Sequence, residues 1–448
     1  MSPRDPTLSL PVELCAHIFR LYLEKPRREP TGTRHPRIPD SPFLLGAVCR
    51  QWRALCLSEP KLWDAINIYP PQSLSVADYM DLVELWLARS KDRPLHIYCS
   101  RKLASQYVYR LIDVCVRPHA PRVKDLRIRL AEEHVPQFKD AIVFGLPLLS
   151  RLSIGYRFAS REAARLSWGD TLGNSSRLTE LSLAGLHLDI LKLPLPQITL
   201  LYLANLSVSD CVRILEQTRA LQTLHAQLSH LGSGPRRTET GHTSLTLSLL
   251  HTLTLVGDSE AQLLARLTLP HLTSLSIHAF VEEGRDNLNR LAARSKWALQ
   301  TLNIQGVLPA VLLECLQGLP TLESVAMEYR PLPSAEDLPF ATTATDFLPR
   351  LRDVHLRIRA PFTNVFRAQI PVSQFEAFAN ALAVNLSRRL VANEGLKEVR
   401  VQFKLEDEEQ FDAGMIASAD TLRSLLVFGG PLPTRRDAKV EVEVIGKE

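Results

Sequence analysis

"LHTLTLVGDSEAQLLARLTLPHLTSLSIHAF", residues 250–280, holds the pattern that organises most of this chain. Leu250, Leu253 and Leu255 return, after a helical interval, as Leu272, Leu275 and Ile277 at the same spacing. The last two apolar residues of each set stand two apart, as residues on one face of a strand do. Between the copies, "DSEAQLLARLTL" spaces its apolar residues as a helix does. One strand and one helix cannot bury their own apolar faces, so such a unit has to stack on others like it.

The same template begins at residues 123, 149, 178, 198, 221, 250, 272, 299, 322, 351, 396 and 422. The intervals run from 20 to 29 residues, except one of 45. "SVSDCVRILEQTRA", "DNLNRLAARSKW" and "LPAVLLECLQG" add helical patterns between the strands. Strands joined by helices pair in parallel. "LVELWLARSKDRPLHIYCS" reads as one more helix and strand, which starts the stack near residue 76. The 45-residue interval contains "SQFEAFANALAVNLSRRLVANEG", an amphipathic helix that ends at Gly395. The expected class is α/β, with a repeat array over 121–430 built of parallel strands and outer helices. Residues 71–120 form transition helices and a first irregular repeat. The tail 431–448 is expected to fray, with "VEVEVI" available as an edge strand.

This array resembles the leucine-rich repeat, which implies a solenoid. Regular repeats of that family carry Asn or Cys at the ninth position. Here Ala131, Arg157, Leu186, Leu206, Ser229 and Asp258 stand in the first of those places, and none fits. The array is therefore expected to be degenerate and irregularly curved. The strand residues that flank the inward pair face the other side. Thr223, His225, Gln227, Thr252, Thr254, Ser274, Ser276, His278, Thr301, Asn303 and Gln305 make that side rich in hydroxyls and amides. It is read either as a hydrogen-bonding surface for a protein substrate or as a solvated strand face. The candidate substrate contacts are Tyr202, His225, Gln227, Thr254, His278, Asn303 and Gln305. Charge gathers at the two ends of the array, for example at Arg127, Arg129, Arg357 and Arg400.

The amino-terminal part follows a different rule. "LSLPVELCAHIFRLYLE", residues 8–24, has only Glu13, His17, Arg20 and Glu24 as strongly polar positions after Pro11. Leu14, Ile18 and Leu21 form one apolar stripe, and Cys15, Phe19 and Tyr22 form a second. A surface helix keeps a polar face, so this one needs cover on two sides, from the rest of the chain or from a partner. "EKPRREPTGTRHPRIPD" is basic and proline-rich and reads as an exposed loop. In "SPFLLGAVCRQWRALCLSEPKLW", Ser41 suits an N-cap and Pro42 the first helical position. Leu45, Val48, Cys49, Trp52, Leu55 and Cys56 then recur at helical spacing until Pro60.

Leu10, Pro11, Glu13, Ile18, Phe19, Val48, Cys49, Trp52, Leu62 and Trp63, taken in order, resemble the F-box motif. The resemblance covers about 55 residues within 1–70 and departs from the motif by the insertion 25–40. It implies a small helical module that docks a Skp-type adaptor and, through it, a cullin–RING ubiquitin ligase. The implied adaptor contacts are Leu10, Pro11, Leu14, Ile18, Phe19, Val48, Cys49, Trp52, Leu55 and Trp63. The expected function is substrate recognition within such a ligase. The rivals are an interaction scaffold with no ligase role and a nucleic-acid binder built on the basic insertion.

Composition narrows these readings. The 448 residues carry a net charge of +5, and residues 1–120 account for it with 17 Lys and Arg against 12 Asp and Glu. That balance is too even for a nucleic-acid or membrane surface. The seven cysteines show no CxxC spacing and read as reduced, buried thiols. "MSPRDPTLSL" lacks an apolar signal segment, which predicts a cytoplasmic or nuclear protein. No phosphate-binding glycine loop, HExxH run, zinc spacing or GxSxG elbow occurs. No catalytic residue, metal or cofactor is therefore expected.

Overall fold

In the computed structural model the helices and strands form two units, Met1–Tyr202 and Leu203–Glu448. The structure describes residues 10–23, 41–70, 74–99, 103–157, 172–173, 175–184, 193–228, 244–257, 260–278, 282–296, 298–305, 316, 319–329, 348–359, 398–404 and 439–445. The insertion 25–40, the helix expected over 373–395 and the repeat expected at 422 lie outside these residues. So does the helical pattern at 308–318, apart from the buried Leu316.

The first unit begins with three helices, α1 (Val12–Leu23), α2 (Pro42–Val48) and α3 (Arg50–Ser58). Ser41 caps α2 as its sequence demands, accepting from the Leu44 N–H at 3.4 Å. A strand–helix succession follows: β1 (Ala65–Asn67), α4 (Val76–Arg89), β2 (Leu95–Tyr98), α5 (Ser105–Leu111), β3 (Val123–Ala131), α6 (Val135–Ala141), β4 (Arg151–Arg157) and β5 (Glu180–Ala184). These five strands pair in parallel and in chain order. The sheet thus starts at β1, inside residues 1–70 and before the helix at 76. A three-residue strand is too short to show a period, and its pairing with β2 supplies the hydrogen bonds that make it one. The first residues of β6 (Leu200–Leu206) also belong to this unit, where the Thr199 and Leu200 N–H groups donate to the Thr179 carbonyl at 2.9 and 3.1 Å.

The second unit contains α7 (Val208–Leu215), β7 (Thr223–Leu228), β8 (Leu245–Thr246), β9 (Thr252–Val256), α8 (Glu260–Arg266), β10 (Leu267–Thr268), β11 (Ser274–His278), α9 (Glu282–Ser295), β12 (Thr301–Gln305), β13 (Ser324–Tyr329), β14 (Asp353–Arg359), β15 (Glu398–Lys404) and β16 (Lys439–Ile445). β7, β9 and β11 to β16 form a parallel sheet in chain order, and β8 pairs with β10 beside it. The chain is therefore a mixed α/β protein with extensive parallel sheet. Every template start that precedes a described segment leads into a strand. β16 is the tail strand allowed for by "VEVEVI", and it pairs with β15 in register.

The registers explain why the repeat spacing matters. Leu224, Leu253, Leu275, Leu302, Val325, Val354 and Val399 occupy one row across the strands of the second unit. Ala226, Leu255, Ile277, Ile304, Met327, Leu356 and Val401 occupy the next inward row. All fourteen are buried. The same device starts two of the helices. "SVAD" at 75–78 and "SVSD" at 207–210 place a serine at the N-cap of α4 and α7. Ser75 Oγ accepts from the Asp78 N–H at 3.2 Å and donates to Asp78 Oδ2 at 2.7 Å. Ser207 and Asp210 repeat that exchange at 3.1 and 2.8 Å. Each pair satisfies an otherwise unmade N–H bond and puts a carboxylate at the positive end of the helix.

Gly257, just past β9, has φ +120°, and a Cβ there would overlap the Leu228 carbonyl oxygen. Only glycine fits a site that combines this backbone with so close an approach. Gly257→Ala is expected to cost the full chain about 1–3 kcal/mol from backbone strain alone, read as a lower midpoint in denaturant. An unchanged midpoint would show that β7 and β9 do not come together in this way.

Candidate functional site

The three amino-terminal helices close on a small aromatic core. Phe19, Leu45, Cys56, Leu62 and Trp63 are buried together, with Leu23, Phe43, Trp52, Leu55 and Trp86 packed around them. The Phe19 and Trp52 rings lie 4.6 Å apart. Trp63 stands edge-on to Phe43 at 5.0 Å and to Trp86 of α4 at 5.3 Å. Its indole N–H donates to the Cys56 carbonyl at 2.7 Å, and the Trp86 indole N–H donates to the Trp63 carbonyl at 2.9 Å. The Arg89 guanidinium lies over both the Phe43 and Trp63 rings, at 5.0 and 4.6 Å. The helices are thereby fixed to the first strand–helix unit by aromatic contacts that hydrogen bonds orient.

That core settles which apolar stripe of α1 is structural. Cys15 and Phe19 face inward, whereas Leu14 and Ile18 are each 50% exposed and Leu21 is exposed beside them. Val48, at the end of α2, is 63% exposed. Of the ten residues expected to meet an adaptor, Leu10, Pro11, Leu14, Ile18 and Val48 are on the surface. Cys49, Trp52 and Leu55 are half-buried. Phe19 and Trp63, expected among the contacts, are in the core at 3% and 1% exposure. The core takes these two because their rings meet those of Trp52, Phe43 and Trp86. Tyr22, the third member of the inward stripe of Cys15 and Phe19, is exposed, and Val12, Leu44 and Leu57 are further exposed apolar residues that the sequence pattern did not single out. Helical spacing identifies stripes but not which stripe a core claims. Leu14, Ile18 and Leu21 thus leave an apolar stripe of α1 in solvent.

The residues expected to meet a substrate fall in two places. His225, Thr254, Ser276 and Asn303 share one outward row of the second unit, and Gln227, Val256, His278 and Gln305 share the next. Six of the seven candidates thus stand on neighbouring strands of one face, with Val256 as an apolar interruption. The seventh, Tyr202, is exposed on β6 in the first unit. The two rows continue into His355 and Arg400, and into Glu328 and Arg357. Arg357 reaches Glu328 at 3.7 Å, and Arg400 reaches Glu398 at 2.9 Å. Burial lowers the pKa of His225 and favours its neutral ring.

A cluster with no counterpart in the repeat pattern lies on the first unit's sheet. Asp125 of β3 is fully buried. Its Oδ2 accepts from the Tyr98 hydroxyl at 3.0 Å and lies 3.3 Å from Arg151 Nε. Its Oδ1 lies 3.7 Å from Arg127 Nε. His96 Nδ1 is 3.9 Å away, and the Arg127 guanidinium covers the Tyr98 ring at 4.8 Å. Burial pushes the Asp125 pKa up, but His96, Arg127, Arg151 and the Tyr98 hydroxyl reverse that push and hold it below the ordinary value. Burial and the neighbouring carboxylate push Tyr98 up to about 12. The partners come from strands about a repeat apart in sequence, so no local motif marks the cluster.

Elsewhere the chemistry is quiet. Burial pushes the thiols of Cys56, Cys115 and Cys211 up to about 11, 12 and 12, away from the reactive thiolate. Among the described residues no group of three or more His, Cys, Asp or Glu could hold a metal ion, and no helix is long and apolar enough to cross a membrane. No family model matches the chain, and no curated protein matches it.

The depressed pKa of Asp125 fixes the sign of one prediction. A carboxylate whose pKa falls on folding adds stability above its unfolded value, near ~4, and withdraws it as pH drops through the folded value. The full chain should therefore lose stability on acidification below about pH 4, and Asp125→Asn should flatten that part of the profile. Denaturation midpoints across the acid range read this directly. Parallel profiles for the two proteins would contradict it.

Proposed function

We propose that this chain is the substrate-recognition subunit of a Skp–cullin–F-box ubiquitin ligase. The observation that carries the reading is the exposed apolar side of α1. Leu14 and Ile18, with Leu10 and Pro11 before them and Val48 at the end of α2, remain in solvent while Phe19 and Trp63 close the core. These residues belong to an ordered set that resembles the F-box motif. The buried members give the module its shape, and the exposed members give the adaptor a place to dock. A helix with one apolar side buried and another left open fits a partner that supplies the missing cover.

In this reading residues 8–70 dock a Skp-type adaptor, and the strand faces hold the substrate protein. The outward rows of His225, Thr254, Asn303, Gln227, His278 and Gln305 supply uncharged hydrogen-bonding groups for that purpose. The chain itself transfers nothing. It raises the local concentration of substrate near a ubiquitin-loaded enzyme held by the cullin. Such work places it in the cytoplasm or the nucleus.

The test is co-purification of the full chain with a Skp adaptor from the same source, beside Leu14→Asp/Ile18→Asp. Both changes are at exposed positions, so the melting temperature should stay near that of the parent. The parent is expected to hold the adaptor at micromolar strength or better, on the order of −8 kcal/mol, and the variant to lose it. A well-folded parent that ignores the adaptor would contradict the ligase reading and leave a scaffold that uses the same surface for another partner.

A further inference from the structure

The first unit's sheet presents a face that the adaptor reading does not use. Arg127 and Arg129 of β3 are both exposed and both outward, two residues apart on one strand. Across from them on β4 are Ser153 and Gly155, and on β5 Ser182 and Ala184. These four are short side chains or none. β6 follows β5, and it places Leu200 and Tyr202 outward, both exposed. Long cationic side chains therefore stand on one side of a low floor and large apolar ones on the other. β3 and β6 are three strand spacings apart, about 14 Å, which admits one extended chain with its side chains.

The arginines are positioned. Asp125, on the same strand and fully buried, lies 3.7 Å from Arg127 Nε and 3.3 Å from Arg151 Nε. Tyr98 supports the Arg127 guanidinium from below. A buried carboxylate is costly unless cations and donors surround it, and here two of its cations project from the sheet into solvent. Arg129 lies across Gly155, with its Cγ 3.0 Å from where a side chain at 155 would begin. Among the described residues no carboxylate stands within ion-pair distance of Arg129. Arg127 and Arg151 share Asp125, and Arg151 reaches Glu180 only at 3.9 Å. Among the described residues the three arginines thus outnumber the two carboxylates beside them.

We propose that this face is a docking site for an extended acidic segment of a partner protein, with carboxylates toward Arg127 and Arg129 and apolar side chains toward Leu200 and Tyr202. Planar guanidinium groups held in place take carboxylates in bidentate fashion at little entropic cost. Asp125 is a positioning residue for this site. The proposal deepens the substrate-recognition reading by naming the substrate's chemistry, and it rests on that reading for the segment's biological role.

The experiment is a titration of the full chain into a labelled peptide of alternating glutamate and leucine, followed by fluorescence anisotropy. A peptide of alternating glutamine and leucine is the control. The glutamate peptide should bind the parent, and Arg127→Gln/Arg129→Gln should weaken it by at least about tenfold with an unchanged melting temperature. The glutamine peptide should bind no better than the glutamate peptide binds that variant. Equal binding of both peptides by the parent, or of the glutamate peptide by parent and variant, would overturn the proposal. Asp125→Asn separates positioning from charge. It makes the face more positive, so charge alone predicts tighter acidic binding, whereas loss of positioning predicts weaker binding. Tighter binding would overturn the role given to Asp125. The Leu14→Asp/Ile18→Asp chain should bind the peptide as the parent does, so a failure of adaptor docking and a failure of this site read out separately.

Discussion

Leu224, Leu253, Leu275 and Leu302 form a row across β7, β9, β11 and β12, and each is covered by its neighbours on the strands beside it. The rest of the second unit depends on that mutual cover. A five-residue strand with two inward side chains cannot exclude water by itself. Its hydrogen bonds need a strand on either side, and its leucines need the next leucines. The constraint fixes the phase of every repeat, because a slip of one residue would turn the leucines to solvent and the threonines inward. It leaves the outward positions free to vary. Threonine, serine, histidine, asparagine and arginine therefore alternate with leucine at no cost to the core.

The first unit obeys the same constraint and adds a second. Its sheet begins at a three-residue strand, and the side of the module that precedes it is aromatic. Trp63 joins the two parts. It is buried among Phe19, Leu45 and Leu62 of the helical module, touches Trp86 of the first long helix, and exchanges hydrogen bonds on both sides. The helices are consequently held against the sheet's first strand, and the side of α1 that bears Leu14 and Ile18 is left outside. A partner that covers that side would therefore meet the helical module with the first unit's own sheet held behind it.

The strands were legible in the sequence because their determinant is local. Three apolar residues at fixed offsets place β3 to β7, β9 and β11 to β15, and each of those starts leads into its strand. The helical patterns in "LVELWLARSKDRPLHIYCS" and "SVSDCVRILEQTRA" were legible for the same reason, and the structure adds Ser75 and Ser207 as the caps that start those helices. The choice between the two stripes of α1 was not legible. It depends on Phe19 meeting Trp52, a contact between segments that the insertion 25–40 separates. β1 escaped because three residues carry no period. Asp125 escaped because its burial arises from Tyr98, Arg127 and Arg151 on three strands, and nothing in "VKDLRIRL" distinguishes an aspartate that will be covered from one that will not.

The most direct measurement is amide hydrogen exchange of the full chain alone and with a Skp adaptor added. The account predicts slow exchange in β7, β9, β11 and β12 in both samples, and new protection on adding the adaptor confined to residues 10–23 and 41–58. Unchanged exchange in those helices with saturating adaptor, or new protection on the strands instead, would contradict it.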